Sequence, residues 1–152
     1  MGEPVAAALA YAHTGQSVGN YPLVYDLGGG TFDLAVLARE DEGFHVALEP
    51  KGIARYGGDD FDRALYDYCD EIAQQRLGRS ISLTSTIDLE FVRLCKRRKE
   101  NLSLHPQATF SSLLPSQNGA VQFKHTVDRG TFESLIEERA KHKSEEREQD
   151  TT

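Results

Sequence analysis

Hydrophobic positions along the chain change period several times, and each change marks an element. Glu3 to Ala12 reads as a short helix: Pro4 suits a first helical position, Glu3 lies at the positive end of the macrodipole, and alanine dominates the rest. Gly15 is the expected terminator. Leu23, Val24 and Tyr25 read as a short strand, broken by three successive glycines. Thr31 to Leu37 then alternates, with Phe32, Leu34 and Val36 on one face and Thr31, Asp33 and Ala35 on the other. Arg39 to Gly43 is a turn and Phe44 to Leu48 alternates again, so Leu23 to Leu48 is expected to be an antiparallel meander.

After the punctuation of KGIARYGGDDFD the period becomes helical. Phe61, Leu65, Tyr68, Cys69, Ile72 and Leu77 form one stripe, closed by Gly78. A second helix is predicted from about Thr86 to Ser103, with Ile87, Phe91, Leu94, Cys95 and Leu102 on its apolar side. Ser85 and Asp88 have capping-box spacing, and Pro106 ends the helix. Thr109–Leu113 and Ala120–Thr126 flank a turn in which Asn118-Gly119 is the hairpin signal. Asp128 should cap a third helix that turns Phe132, Leu135 and Ile136 inward. From Lys141 to Thr152 every side chain is polar, which suggests a frayed helix end or a disordered tail.

Composition narrows the class. The 152 residues suffice for one ordinary domain, or a subdomain with its connections. No apolar run approaches a membrane span and no basic-then-apolar leader opens the chain, so neither membrane nor secretion is expected. A net charge of -7 argues against nucleic acid as a partner, although cations cluster locally between Lys96 and Lys99. Cys69 and Cys95 fit no metal or redox spacing and each lies in a helical apolar pattern. Buried free thiols in a reducing, cytoplasmic setting are the expectation. His13, His45, His105, His125 and His142 share no ligand spacing, and Tyr56, Tyr66 and Tyr68 read as packing residues.

The chemistry concentrates in Asp26-Leu27-Gly28-Gly29-Gly30-Thr31-Phe32-Asp33. Glycines at a strand-to-strand turn permit positive φ and close approach to the main chain, and successive free amides make a concavity suited to phosphate. Asp26 and Asp33 suit a hydrated Mg²⁺, which takes one or two carboxylates and keeps its waters. A Gly-rich hairpin turn with two solvated acids is the plainer alternative. The segment is neither a P-loop nor a dinucleotide fingerprint.

DLGGGTFD resembles the second phosphate loop of the DnaK-type, 70-kilodalton heat-shock chaperones. Four further segments resemble the same family in unbroken order: GEPVAAALAYA, YGGDDFD, LCKRRKENLS and HTVDRGTFESLIEE. The resemblance covers roughly Glu3 to Glu138 and implies an α/β chain (an α+β fragment of the actin-like ATPase fold), an antiparallel meander plus a helical and hairpin subdomain. It divides the chain into part of lobe IIA at 3–56, lobe IIB at 57–140 and the polar tail at 141–152.

The same resemblance implies ATP/ADP and Mg²⁺ as cofactors, with K⁺ as the alkali ion. By that likeness Asp26 orients the waters on Mg²⁺, Asp33 lies near the attacking water and the alkali ion, Thr31 lies by the γ-phosphate, and Glu3 touches the metal's water shell. It likewise implies that the amides of Gly28, Gly29 and Gly30 hold phosphates; Gly57 and Gly58 either let the nucleotide pass closely or simply start a helix. Lys96, Lys99, Glu100 and Ser103 fall on one helical stripe, and in the family the matches to Lys99 and Ser103 contact ribose and adenine. Lys96 stands where familiar members carry a ribose-binding glutamate, and Glu100 where some carry a base-stacking arginine. Arg98 falls on the apolar side, where a small residue is expected.

On this resemblance the parent protein would be an ATPase with unfolded client polypeptides, a J-domain co-chaperone and a nucleotide-exchange factor as partners. No first phosphate loop, catalytic lysine, second adenosine loop or peptide-binding domain is found in these residues. Weak nucleotide binding and negligible hydrolysis are therefore expected of this polypeptide alone, with self-association through an unpaired sheet edge. A non-catalytic interaction module and an actin-like filament former are the other readings.

Overall fold

The computed structural model describes residues 3–14, 19–41, 43–54, 56–81, 85–116 and 119–149. The chain divides into two compact units, residues 1–58 and 59–152.

The first unit holds helix α1 (Glu3–His13) and strands β1 (Leu23–Leu27), β2 (Thr31–Glu40) and β3 (Gly43–Ala54). The strands form one antiparallel sheet in the order β1-β2-β3, the expected meander. β3 runs six residues past the expected end at Leu48. Register slips between Leu34 and Val36 and between Val36 and Leu37, the mark of a β-bulge. The small core is Ala8, Ala35 and Leu37, with Val5, Val24 and Phe44 packed around it. Alanine at position 8 lets the helix backbone come close to the sheet. Phe32, Leu34 and Val36 point the other way, where their cross-strand partners Leu27, Tyr25 and Leu23 are exposed. The predicted helix terminator Gly15 lies outside the described residues.

The second unit contains most of α2 (Gly58–Leu77), then α3 (Ser85–Leu104), β4 (Gln107–Ser116), β5 (Gly119–Asp128) and α4 (Arg129–Gln149). α2 begins two residues earlier than the Asp60 start that periodicity suggests. It ends at Gly78, whose φ of 62° is left-handed and whose amide donates to the Gln74 carbonyl at 2.9 Å. The core is aromatic at its centre: Phe91 lies 5.7 Å from Tyr66, 6.0 Å from Phe123 and 6.3 Å from Phe110, ring centre to ring centre. Leu65, Ile81, Leu102, Leu114 and Val127 close around these rings. Cys69 and Cys95 are buried free thiols, and burial pushes Cys69 up to about 12.

Several local expectations change. Asp88 accepts a hydrogen bond from the Tyr66 hydroxyl, so its carboxylate links α3 to α2; the Ser85 side chain lies outside the described residues. The hairpin pairs Ser116 with Gly119, and Gly119 takes φ 112°; Gln117 and Asn118 lie outside the described residues. Asp128 caps α4 as the sequence suggests, accepting from the Thr131 amide at 2.8 Å and the Thr131 hydroxyl at 3.0 Å. The polar segment from Lys141, expected to fray or be disordered, continues as helix through Gln149; of that segment only Asp150–Thr152 lie outside the described residues.

Candidate functional site

Hairpin geometry brings the two acids of the glycine-rich segment together. Asp26 and Asp33 are direct cross-strand partners, followed by Leu27 and Phe32. Directly opposed residues on an antiparallel pair share a face and lie about 5 Å apart at Cβ, so two exposed carboxylates stand side by side. The turn beyond them is closed by the Gly28 amide donating to the Thr31 carbonyl at 2.9 Å. That bond uses the Gly28 N–H internally, which removes it from the expected row of phosphate donors. The Gly29 and Gly30 amides have no hydrogen-bond partner among the described residues.

The glycines also act differently from the expectation of positive φ. Neither Gly28 nor Gly30 is left-handed. A Cβ on Gly30 would meet nothing within 4 Å, so the space above it is open to a ligand. Gly57 is where a side chain is forbidden. A Cβ there would lie 2.6 Å from the Gly29 carbonyl carbon and 2.7 Å from the Gly28 oxygen, and closer still to the Gly29 oxygen. Gly58 completes the contact by donating its amide to the Gly28 carbonyl at 2.9 Å. The YGG segment thus props the glycine turn from behind, and the Phe32 and Tyr56 rings meet edge-on at 6.3 Å beside it. On the neighbouring strand, a Cβ on Gly52 would collide with the Asp33 carboxylate, so glycine there leaves room for that side chain.

These residues suit a metal held through its water shell. They offer two adjacent carboxylates, and the described residues contain no cluster of three or more metal-ligating side chains. An all-protein cage would need more ligands; a hydrated Mg²⁺ does not. Glu3 is the first residue of α1.

In the second unit, Lys96, Glu100 and Ser103 are exposed along one side of α3. Lys99 is not. Its ammonium sits 2.8 Å from the Asp62 carboxylate, with only 18% of the lysine side chain and 4% of the aspartate side chain exposed. The contact is ionic, outside hydrogen-bonding angles at that oxygen. Asp62 was missed by the motif reading although a signal existed: it lies three and four residues before buried Leu65 and Tyr66, on the inward stripe of α2. A carboxylate on such a stripe requires a cation opposite it. The end of α3 has its own unpredicted fixture. Arg129 donates to the carbonyls of Leu102 at 2.8 Å and of Ser103 and His105 at 3.3 Å each, so a guanidinium caps the helix that carries Ser103. Arg98 is half-buried, its Nε without a hydrogen-bond partner among the described residues.

The model of the family described as "Hsp70 protein" matches residues 1–149. The chain belongs to the Hsp70 family. It carries part of an Hsp70 nucleotide-binding domain, and its helices and antiparallel strands are those of a fragment of the actin-like ATPase fold. Among curated Hsp70 relatives, a chaperone protein HscA homolog of Burkholderia lata is 40% identical over 141 residues, covering 90% of this chain and 21% of that protein. The HscA homolog of Methylococcus capsulatus is 39% identical over 135 residues, 89% of this chain and 20% of that protein. A rice protein, heat shock 70 kDa protein BIP3 of Oryza sativa subsp. japonica, is 35% identical over 136 residues, again 89% and 20%. The chain thus spans about a fifth of the length of the curated relatives it matches. Among the described residues no helix is long and apolar enough to cross a membrane.

Proposed function

We propose that this chain is part of the ATP-binding domain of a molecular chaperone that couples ATP binding and hydrolysis to the binding and release of unfolded polypeptides. The observation that carries the reading is the Asp26–Asp33 pair at the mouth of a tight glycine turn whose back is packed by Gly57. Phosphoryl transfer depends mainly on positioning and charge neutralisation. The Gly29 and Gly30 amides would donate to phosphate oxygens, the Thr31 hydroxyl would add a further polar contact to the phosphates, and Asp26 and Asp33 would hold Mg²⁺ through its waters. When bound, that ion neutralises phosphate charge. Glu3 joins the same water shell. On α3, Lys96, Glu100 and Ser103 offer polar contacts to the sugar and base, while Asp62 fixes Lys99.

In the intact protein the partners are client polypeptides, a J-domain co-chaperone and a nucleotide-exchange factor, in the cytoplasm. The 152-residue polypeptide by itself binds nucleotide weakly and hydrolyses it negligibly. Titration of ADP and Mg²⁺ followed by amide NMR tests this: shifts should concentrate at Gly29–Thr31 and along Lys96–Ser103, with a dissociation constant weaker than about 1 µM. Unmoved signals at both segments at millimolar nucleotide would defeat the reading.

A second reading, a non-catalytic interaction module, draws support from Lys96 and from the engagement of Lys99 by Asp62, which leaves less positive charge for a nucleotide. Lys96→Glu separates the two. A gain in nucleotide affinity shows that the α3 face still reads the sugar; no change favours the module.

A further inference from the structure

The cationic stretch of α3 has a second side that the nucleotide reading does not use. There α3 and β4 border a cleft of about 370 Å³ whose walls include Arg93, Arg97, Ser111 and Ser112, with Phe91 and Leu94 as apolar lining. Arg93 and Arg97 are one helical turn apart and both exposed. Neither has a carboxylate partner among the described residues, whereas Arg63, Arg139 and Lys99 each have one. Glu90 also lines the cleft, so one carboxylate faces two guanidiniums and the local charge stays positive. The Ser111 hydroxyl accepts from Gln122 Nε2 at 3.4 Å and keeps its own proton to donate.

The strand wall identifies the shape of the occupant. Ser111 and Ser112 are consecutive, so their side chains point to opposite faces of the hairpin. A cleft that touches both runs along the edge of β4. That strand pairs only with β5 in its two-stranded sheet, so its other edge presents main-chain groups without a strand partner among the described residues. A strand edge beside paired guanidiniums suits an extended peptide bearing carboxylates: the main chain adds to the edge and the arginines select the charge. A long polyanion is disfavoured by the -7 net charge of the chain.

We propose that the α3/β4 cleft binds an extended acidic segment of a partner protein, with Arg93 and Arg97 each pairing with a carboxylate. This does not depend on nucleotide binding. The test is fluorescence anisotropy of the full chain with a labelled peptide of about eight residues alternating Glu and Val, against a Lys/Val peptide of equal length. Binding of the acidic peptide alone is expected. It should weaken at least about tenfold in the Arg93→Glu/Arg97→Glu variant, with Ser111 and Ser112 amide signals shifting on titration of the parent. Arg39→Glu/Lys141→Glu, which carries the same charge change at exposed positions that do not line the cleft, should retain binding. Circular dichroism confirms that both variants stay folded. The proposal is overturned by absence of binding at about 1 mM peptide, by equal loss in the two variants, or by full displacement of the peptide by equimolar inorganic phosphate, which would mark a small-anion site only.

Discussion

Replacing Gly57 with alanine tests how the phosphate turn is held. The added Cβ would lie well inside contact distance of the Gly28 and Gly29 main chain, 2.6 Å from the Gly29 carbonyl carbon and 2.7 Å from the Gly28 oxygen. Those are backbone atoms in a closed turn and cannot rotate away as a side-chain tip would. Overpacking of this kind costs about 1–3 kcal/mol. Displacing the turn also strains the Gly58 amide bond to Gly28 at 2.9 Å, which contributes about 0.5–1.5 kcal/mol. The reduced freedom of the unfolded chain returns about 0.4–1 kcal/mol. A net loss of about 2 kcal/mol corresponds to roughly 4–8 °C in melting temperature for a chain of this length. Gly30→Ala is the control, because its Cβ meets nothing and its φ is not left-handed; it should change stability by no more than about 0.5 kcal/mol. Thermal melts by circular dichroism and hydrogen exchange at the Gly58 amide read both variants. If Gly57→Ala melts within about 1 °C of the parent with Gly58 protection unchanged, the propping contact contributes nothing and the reasoning fails.

The same geometry predicts four other outcomes. Asp62→Asn or Lys99→Met should each destabilise the second unit by about 3 kcal/mol, because each strands a largely buried charge or polar group; an Asp62→Leu/Lys99→Met double variant should recover part of that loss in urea melts. The Cys69 thiol, raised to about 12 by burial, and the Cys95 thiol, raised by burial and then by the charges of Cys69, Asp62 and Asp67, should ignore a thiol reagent at pH 8 and react only on unfolding; fast native labelling would contradict their burial. His125 is held below its ordinary 6.5 by burial and then by Arg76, and its Nε2 has no hydrogen-bond partner among the described residues. The unfolded state therefore takes up that proton first, so stability is full above pH 6.5 and falls as pH drops through the folded value; Asp128, lowered from 3.8 by the Thr131 hydrogen bonds, adds a second loss below that pH. His125→Gln should abolish the upper of these two windows in pH-dependent melts. Finally, β1 lies at the edge of its sheet with Leu23, Tyr25 and Leu27 exposed, so the chain should self-associate at about 100 µM; a monomeric mass by light scattering would count against it.

Much of this chain was legible in one dimension because its signals are local. Period-two and period-3.6 patterns located the meander, both central helices and the hairpin, Gly78 marked a helix end through its own φ, and Asp128 declared a cap three residues ahead of its partner. DLGGGTFD likewise announced a turn flanked by acids, whereas the register that sets Asp26 against Asp33 was fixed by the folded sheet. Folding decided what depended on residues distant in sequence. The need for glycine at position 57 comes from the main chain at 28 and 29, and the ion pair of Asp62 with Lys99 joins helices 37 positions apart. Arg129 reaches back to the end of α3, 27 residues earlier, and the helical continuation of the polar tail has no apolar pattern to announce it. A sequence displays propensity and spacing; which carbonyl lies behind a glycine, or which carboxylate meets a lysine, is set only when packing closes the distance.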